Sequence, residues 1–136
     1  MRGEYAHVID DKGRLFIPSK FRAELGCSFV ITKGLGKCLS VYPMSEWDAF
    51  EKKISALPTK QARQLQLFFI APAQDVELDG QGRVLVPQKL REYAGLSKNL
   101  VIAGMINHIE IWDEFEWDAM NLTPENIAEV MDEAGI

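Results

Sequence analysis

Residues 10–18 read Asp10-Asp11-Lys12-Gly13-Arg14-Leu15-Phe16-Ile17-Pro18, and residues 79–87 read Asp79-Gly80-Gln81-Gly82-Arg83-Val84-Leu85-Val86-Pro87. Each is an Asp-x-x-Gly-Arg turn running into three apolar residues and a proline. Glycine supplies the backbone freedom that a reversal or bulge needs. The apolar triplets predict short strands, each stopped by a proline that has no N–H to give to a ladder. A phrase stated twice predicts two copies of one folding unit.

The match continues outward from the two turns. It pairs Lys20 with Lys89, Arg22 with Arg91 and Gly26 with Gly95. After one inserted residue it pairs Gly34 with Gly104, Val41 with Ile111, Tyr42 with Trp112, Trp47 with Trp117 and Asp48 with Asp118. Tyr5–Ile9 and Val76–Leu78 predict strands entering the turns. Phe21 and Leu25, four apart and closed by Gly26, predict a short helix; Leu90, Ala94 and Gly95 repeat it. Phe29–Thr32 and Leu39–Tyr42, joined across Gly34 and Gly36, predict a β-hairpin. Leu100–Ala103 and Ile109–Trp112 predict its counterpart, turning at Asn107 and His108.

Between the copies, Ser45 is a candidate N-cap for a helix with Trp47, Phe50, Ile54 and Leu57 on one stripe, ended by Pro58. Residues 60–70 predict a second helix carrying Leu65, Phe68 and Phe69. Asp113 is a candidate cap for a helix with Phe115, Trp117 and Met120. Thr123-Pro124-Glu125 opens a last helix whose apolar face is Ile127, Val130 and Met131. The chain divides into a first unit at 4–48, a helical linker at 49–74, a second unit at 76–119 and an acidic C-terminal helix at 120–136. Neither unit is large enough to bury a core alone. The expected fold class is α+β, with the two units interleaving their strands into one pseudo-two-fold β-barrel flanked by helices. On that reading residues 1–48 alone are unfolded or homodimeric.

Composition bounds the function. With 47% apolar and 26% charged residues, the chain is expected to be a soluble globular protein rather than a disordered one. No apolar run reaches the roughly 18 residues of a membrane span. No apolar signal core follows Met1, so a cytoplasmic location is expected. Cys27 and Cys38 are expected to be free thiols on core-facing positions. The net charge of −5 is unevenly spread: nine acids and no base follow residue 107, which leaves residues 1–106 with 15 bases against 11 acids. A basic body with an acidic end is compatible with local phosphate binding.

The chemistry concentrates at the repeated turn. Arg14 and Arg83 stand beside Gly13 and Gly82, with Lys12 next to the first; Lys20, Arg22, Lys89 and Arg91 follow on short helices. Paired basic turns suit a DNA duplex, because guanidinium groups fork to guanine edges or phosphates and lysines add point charges. The plainer reading makes Asp10–Arg14 and Asp79–Arg83 local ion pairs that fix turn geometry, and both readings can hold together. Lys20 and Lys89 read as solvated helix charges in preference to base readers. Arg22 and Arg91 read equally as phosphate ligands or as partners of acids in the sister unit.

Catalytic readings fare worse. Gly34-Leu35-Gly36-Lys37 lacks the glycine spacing and the following Ser/Thr of a phosphate loop. Asp75-x-Glu77-x-Asp79-Gly80 opens like a calcium loop but places Val86 where the bidentate Glu belongs. His7 and His108 have no partners at metal-ligand spacing, and no nucleophile elbow is present. No enzyme activity, cofactor, metal or small-molecule substrate is expected. Trp47 and Trp117 read as core anchors.

Ile9–Pro18, its second copy at 79–87 and Ile109-Glu110-Ile111-Trp112-Asp113 resemble the MraZ family of bacterial transcriptional regulators, over roughly residues 2–122. The resemblance implies two tandem AbrB-like halves in a swapped-hairpin barrel and assembly of subunits into a closed homo-oligomeric ring. It also implies sequence-specific binding of double-stranded DNA, at repeated promoter elements of the division and cell-wall gene cluster, in the nucleoid. Carried across residue by residue, the contact arginines are Arg14 and Arg83, positioned by Asp10 and Asp79. Lys12 faces a neutral Gln81, so the first copy is expected to make the stronger contact. The rival reading is an AbrB-like antitoxin that binds a toxin partner through its acidic C-terminal helix.

Overall fold

The computed structural model describes all of residues 1–136. Strands β1 (Glu4–Val8) and β2 (Arg14–Phe16), helix α1 (Ser19–Leu25) and hairpin β3 (Ser28–Lys33)–β4 (Cys38–Pro43) make up the first copy. Helices α2 (Met44–Ser55) and α3 (Thr59–Leu65) follow, and α3 continues into a π-helical turn at Gln66–Ile70. The second copy repeats the order: β5 (Gln74–Glu77), β6 (Arg83–Leu85), α4 (Gln88–Ala94), β7 (Asn99–Gly104) and β8 (Ile109–Asp113). Helices α5 (Glu114–Asp118) and α6 (Pro124–Ala134) close the chain.

The copies are built into each other. A six-stranded antiparallel sheet runs β1-β7-β8-β4-β3-β5, so each copy's first strand pairs with the other copy's hairpin. The two hairpins meet where β4 pairs β8, and a separate ribbon pairs β2 with β6. The expected barrel does not form. The ladders leave β1 and β5 as open edges, and only the bridge Ile9–Leu15 ties the ribbon's β2 to the end of β1. The ribbon strands are three residues long, and Pro18 and Pro87, two residues past their ends, have no N–H with which to extend the pairing.

One continuous core lies between the sheet and the ribbon with its helices. Leu15, Ile17, Phe21, Phe29 and Ile31 of the first copy interlock there with Val84, Val86, Leu90, Leu100 and Ile102 of the second. The period-2 alternation of the strands sends Phe29 and Ile31 to this core and Val30 and Thr32 to the opposite face. That outer face is capped by the linker, where Trp47, Phe50 and Phe69 pack edge-on or tilted and the Thr32 hydroxyl donates to the Phe69 carbonyl at 2.6 Å. No helix is long and apolar enough to cross a membrane.

Several local expectations need correction. β3 and β7 share one burial pattern from Ser28 and Asn99 onward, so Gly34 corresponds to Met105 rather than Gly104; Gly34 closes on Cys38 and Met105 on His108, a turn one residue shorter. That shorter turn forces Ile106 to a φ of 71°. Ser45 caps nothing: β4 runs straight through Pro43 into α2, which starts at Met44. Asp113 and Thr123 do cap, accepting from the N–H groups of Phe115 and Asn126. Trp47 is buried, whereas Trp117 is half-buried with its ring edge-on to Trp112.

Cys27 is not on a core position; it lies exposed in the turn between α1 and β3. Cys38 is fully buried, and burial with the nearby Glu110 charge pushes its thiol up to about 12. Thiolate is the reactive form. A thiol reagent at pH 8 is therefore expected to label one cysteine per native chain, Cys27, and both only after denaturation. Peptide mapping of the labelled protein checks this, and rapid native labelling of Cys38 would contradict the packing.

Candidate nucleic-acid interface

Each Asp-x-x-Gly-Arg turn is held by its own aspartate. Asp10 Oδ1 accepts from the backbone N–H of Lys12 at 3.0 Å and of Arg14 at 2.8 Å, while Oδ2 accepts from Arg14 Nε at 2.7 Å. Asp79 repeats this with Gln81 N at 2.9 Å, Arg83 N at 2.9 Å and Arg83 Nε at 2.8 Å. A guanidinium has five N–H groups. The aspartate engages Nε, and the two terminal nitrogens make no hydrogen bond within the chain. Local ion pairing and presentation of the arginine are one arrangement.

The electrostatics follow from those bonds. In Asp10 the Arg14 backbone N–H is the largest influence, and with the guanidinium bond and charge it outweighs burial, so the carboxyl sits below the ordinary aspartate range. The Arg83 backbone N–H does the same for Asp79. A lowered folded value means a contribution to turn stability that is complete above the unfolded aspartate value and fades as pH falls through the folded one. Carboxyl NMR titration is expected to place both midpoints below about 4, the usual value. The turn amides of Arg14 and Arg83 should shift with them. A normal midpoint at either aspartate would mean that its turn is open in solution.

The ribbon places the two arginines on one outer surface. In its antiparallel register Arg14 faces Leu85, Leu15 faces Val84, and Phe16 faces Arg83. Leu15 and Val84 point into the core, so Arg14, Phe16, Arg83 and Leu85 all point outward. Arg83 lies over the Phe16 ring, its Cζ 5.8 Å from the centroid, and its side chain is 24% exposed against 39% for Arg14. Phe16 and Leu85 carry no charge and stand outside the Asp-x-x-Gly-Arg motif. Their signal was the parity of a three-residue strand whose middle residue is buried.

Lys12, Lys20 and Lys89 are exposed, the first on its turn and the others at the starts of α1 and α4. Arg22 and Arg91 pair with no acid of the sister unit; they pack against its turn. A Cβ built on Gly13 would meet Arg91 Cζ at 2.8 Å, and one built on Gly82 would collide with the Arg22 guanidinium. Gly13 and Gly82 also hold φ of 86° and 80°, where side chains are strained. Glycine is therefore required twice over, by its own backbone and by an arginine from the other copy. Arg91 Nε donates to the Val86 carbonyl at 3.0 Å, whereas Arg22 Nε is buried with no partner. No three His, Cys, Asp or Glu side chains gather where they could hold a metal ion.

A family model described as "MraZ protein, putative antitoxin-like" matches the chain twice, over residues 1–68 and 69–131. A Caldicellulosiruptor bescii protein named transcriptional regulator MraZ is 50% identical over 140 residues, covering 98% of each chain. Proteins of the same name from Acetivibrio thermocellus and Moorella thermoacetica are 48% and 52% identical, over 98% and 85% of this chain and 98% and 82% of their own. With both repeats matched and relatives aligned along almost its whole length, the chain belongs to the MraZ family of transcriptional regulators.

Proposed function

We propose that this protein is a sequence-specific DNA-binding transcriptional regulator that acts on repeated promoter elements of the division and cell-wall gene cluster, without catalysis or cofactor. The observation that carries the reading is the pair of aspartate-held arginines on one outward ribbon face. The major groove admits a two-stranded ribbon, and a forked guanidinium matches the acceptors of guanine. Arg14 and Arg83 are the base- or phosphate-contacting groups, Lys12, Lys20 and Lys89 add backbone charge, and Arg22, packed on Gly82, serves binding by bracing the second turn. Asp10, Gly13, Asp79 and Gly82 position the turns. Residues 4–48 and 76–119 act as the two DNA-facing units, with 49–74 as linker and 120–136 as an accessory helix. The working location is the cytoplasm, on the nucleoid.

One chain offers two such arginines, a small contact. Several copies closed into a ring would engage several repeats at once and gain affinity without a new contact. The test is a gel shift of the full chain on the DNA upstream of its own gene, at fixed salt, beside a scrambled duplex. Equal affinity for the two duplexes would refute the reading.

A second reading, an antitoxin that binds a toxin through residues 120–136, draws on the exposed apolar face of α6. It requires a foreign protein to bind that helix while DNA binding is unaffected by its loss.

A further inference from the structure

Helix α6 is well specified and packed against nothing. Thr123 caps its start, Pro124 occupies the first turn and Gly135 closes it with φ of 73°. Every residue of the helix is nonetheless exposed. Ile127, Val130 and Met131 form a stripe at helical spacing that is 40%, 57% and 43% exposed. A helix of 11 residues is too short to be stable in water on caps alone, since isolated helices below about 12–15 residues are marginal. The stripe calls for a partner surface. Glu125, Glu129, Asp132 and Glu133 accompany it, with no base, so an apolar surface with bases beside it complements the helix.

The same chain carries such a surface elsewhere. A groove between the end of α2 and the α3–π segment is floored by Ile54, Leu67, Ile70 and Ala71, with Arg63 and Glu51 on its walls. Leu67 is 57% exposed there. On these two helices Lys52, Lys53, Lys60 and Arg63 stand against Glu46, Asp48 and Glu51, a small excess of base. The groove lies over β3 and β4, whereas α6 leaves the body after α5, which packs on β7 and β8.

We propose that α6 of one copy docks in the α2–α3/π groove of a second copy, its apolar stripe on Leu67 and Ile70 and its acids among the basic residues. Helix and groove are different surfaces, so the contact is head-to-tail, and its rotation decides whether the copies close into a ring or run on as a filament. An amphipathic helix in an apolar groove is a common recognition mode. This interface rests on the multi-copy reading above and gives it a physical joint.

The experiment uses full-length Val130→Asp and Leu67→Asp, two exposed positions whose change leaves the fold intact by circular dichroism. Light scattering of the wild type is expected to give a multiple of the 15.4 kDa chain, and each variant alone the single-chain mass. Mixed, the variants should form a 1:1 dimer, because one keeps an intact groove and the other an intact helix. Added salt should weaken the wild-type assembly, as screened charge pairs do. A monomeric wild type would sink the multi-copy reading and this joint together, leaving an intrachain or foreign occupant for α6. An assembled wild type that both variants leave unchanged, or a mixture that does not dimerise, would sink the joint alone.

Discussion

Arg14→Ala is expected to weaken promoter binding by about 5- to 150-fold per engaged turn, the effect of losing one forked guanidinium contact worth about 1–3 kcal/mol. In an assembly that binds several repeats at once the loss multiplies across copies, and the gel shift should vanish at protein concentrations that saturate with the wild type. The fold should be untouched. Arg14 gives the structure one partly exposed ion pair with Asp10, and such solvent-screened pairs contribute little to stability. Arg83→Ala should weaken binding less, because the exposed Lys12 on the first turn is replaced by neutral Gln81 on the second. Base contact and phosphate contact separate in the same titration. Loss of a base reader relaxes preference at one position of the repeat, whereas loss of a phosphate ligand weakens all sequences alike and flattens the salt dependence. Wild-type affinity in Arg14→Ala at fixed salt would remove the first turn from the interface.

The repeat made much of this molecule legible before any coordinates. Strand triplets ending in proline, the Phe21–Leu25 and Leu90–Ala94 helices and the caps at Asp113 and Thr123 all stand where local chemistry puts them, because each depends on near neighbours. Pairing between distant strands is another matter. Nothing in Glu4–Val8 alone says that its partner is Asn99–Gly104 or that the sheet stays open. Closure would need the edge strands β1 and β5 to find further partners, and the three-residue ribbon strands pair with each other instead. Cys27 departs from the core-facing expectation for a related reason: thiols favour cores on average, but this one falls in a two-residue turn. At the site, motif spacing reveals the arginines and aspartates, which act within four residues of each other. It is silent on Phe16 beneath Arg83 and on Arg22 and Arg91 against the opposite turn, since those contacts exist only after the copies interlock.

Arg22→Ala should damage the second copy's turn rather than the first, although Arg22 belongs to the first copy. Its guanidinium packs on Gly82, within the Asp79–Arg83 turn, and fills the space that a side chain there would need. Removing it lets that turn relax and spoils the aim of Arg83. The expected pattern is a double-mutant cycle. Arg22→Ala alone should weaken DNA binding about as much as Arg83→Ala. Combined with Arg83→Ala it should add nothing, because the group it aims is already gone; combined with Arg14→Ala the losses should add. Arg91 should show the mirror pattern, coupled to Arg14 and independent of Arg83, since its Cζ lies against Gly13. A merely structural role would lower all variants together and show in thermal stability. That cost should be small for Arg22, whose buried Nε has no partner in the fold and so contributes an unmet donor rather than a bond. Direct contact between Arg22 and DNA predicts the opposite: additive losses with both turn arginines and a shallower salt dependence. That outcome would make Arg22 a ligand of the duplex instead of a brace for the sister turn.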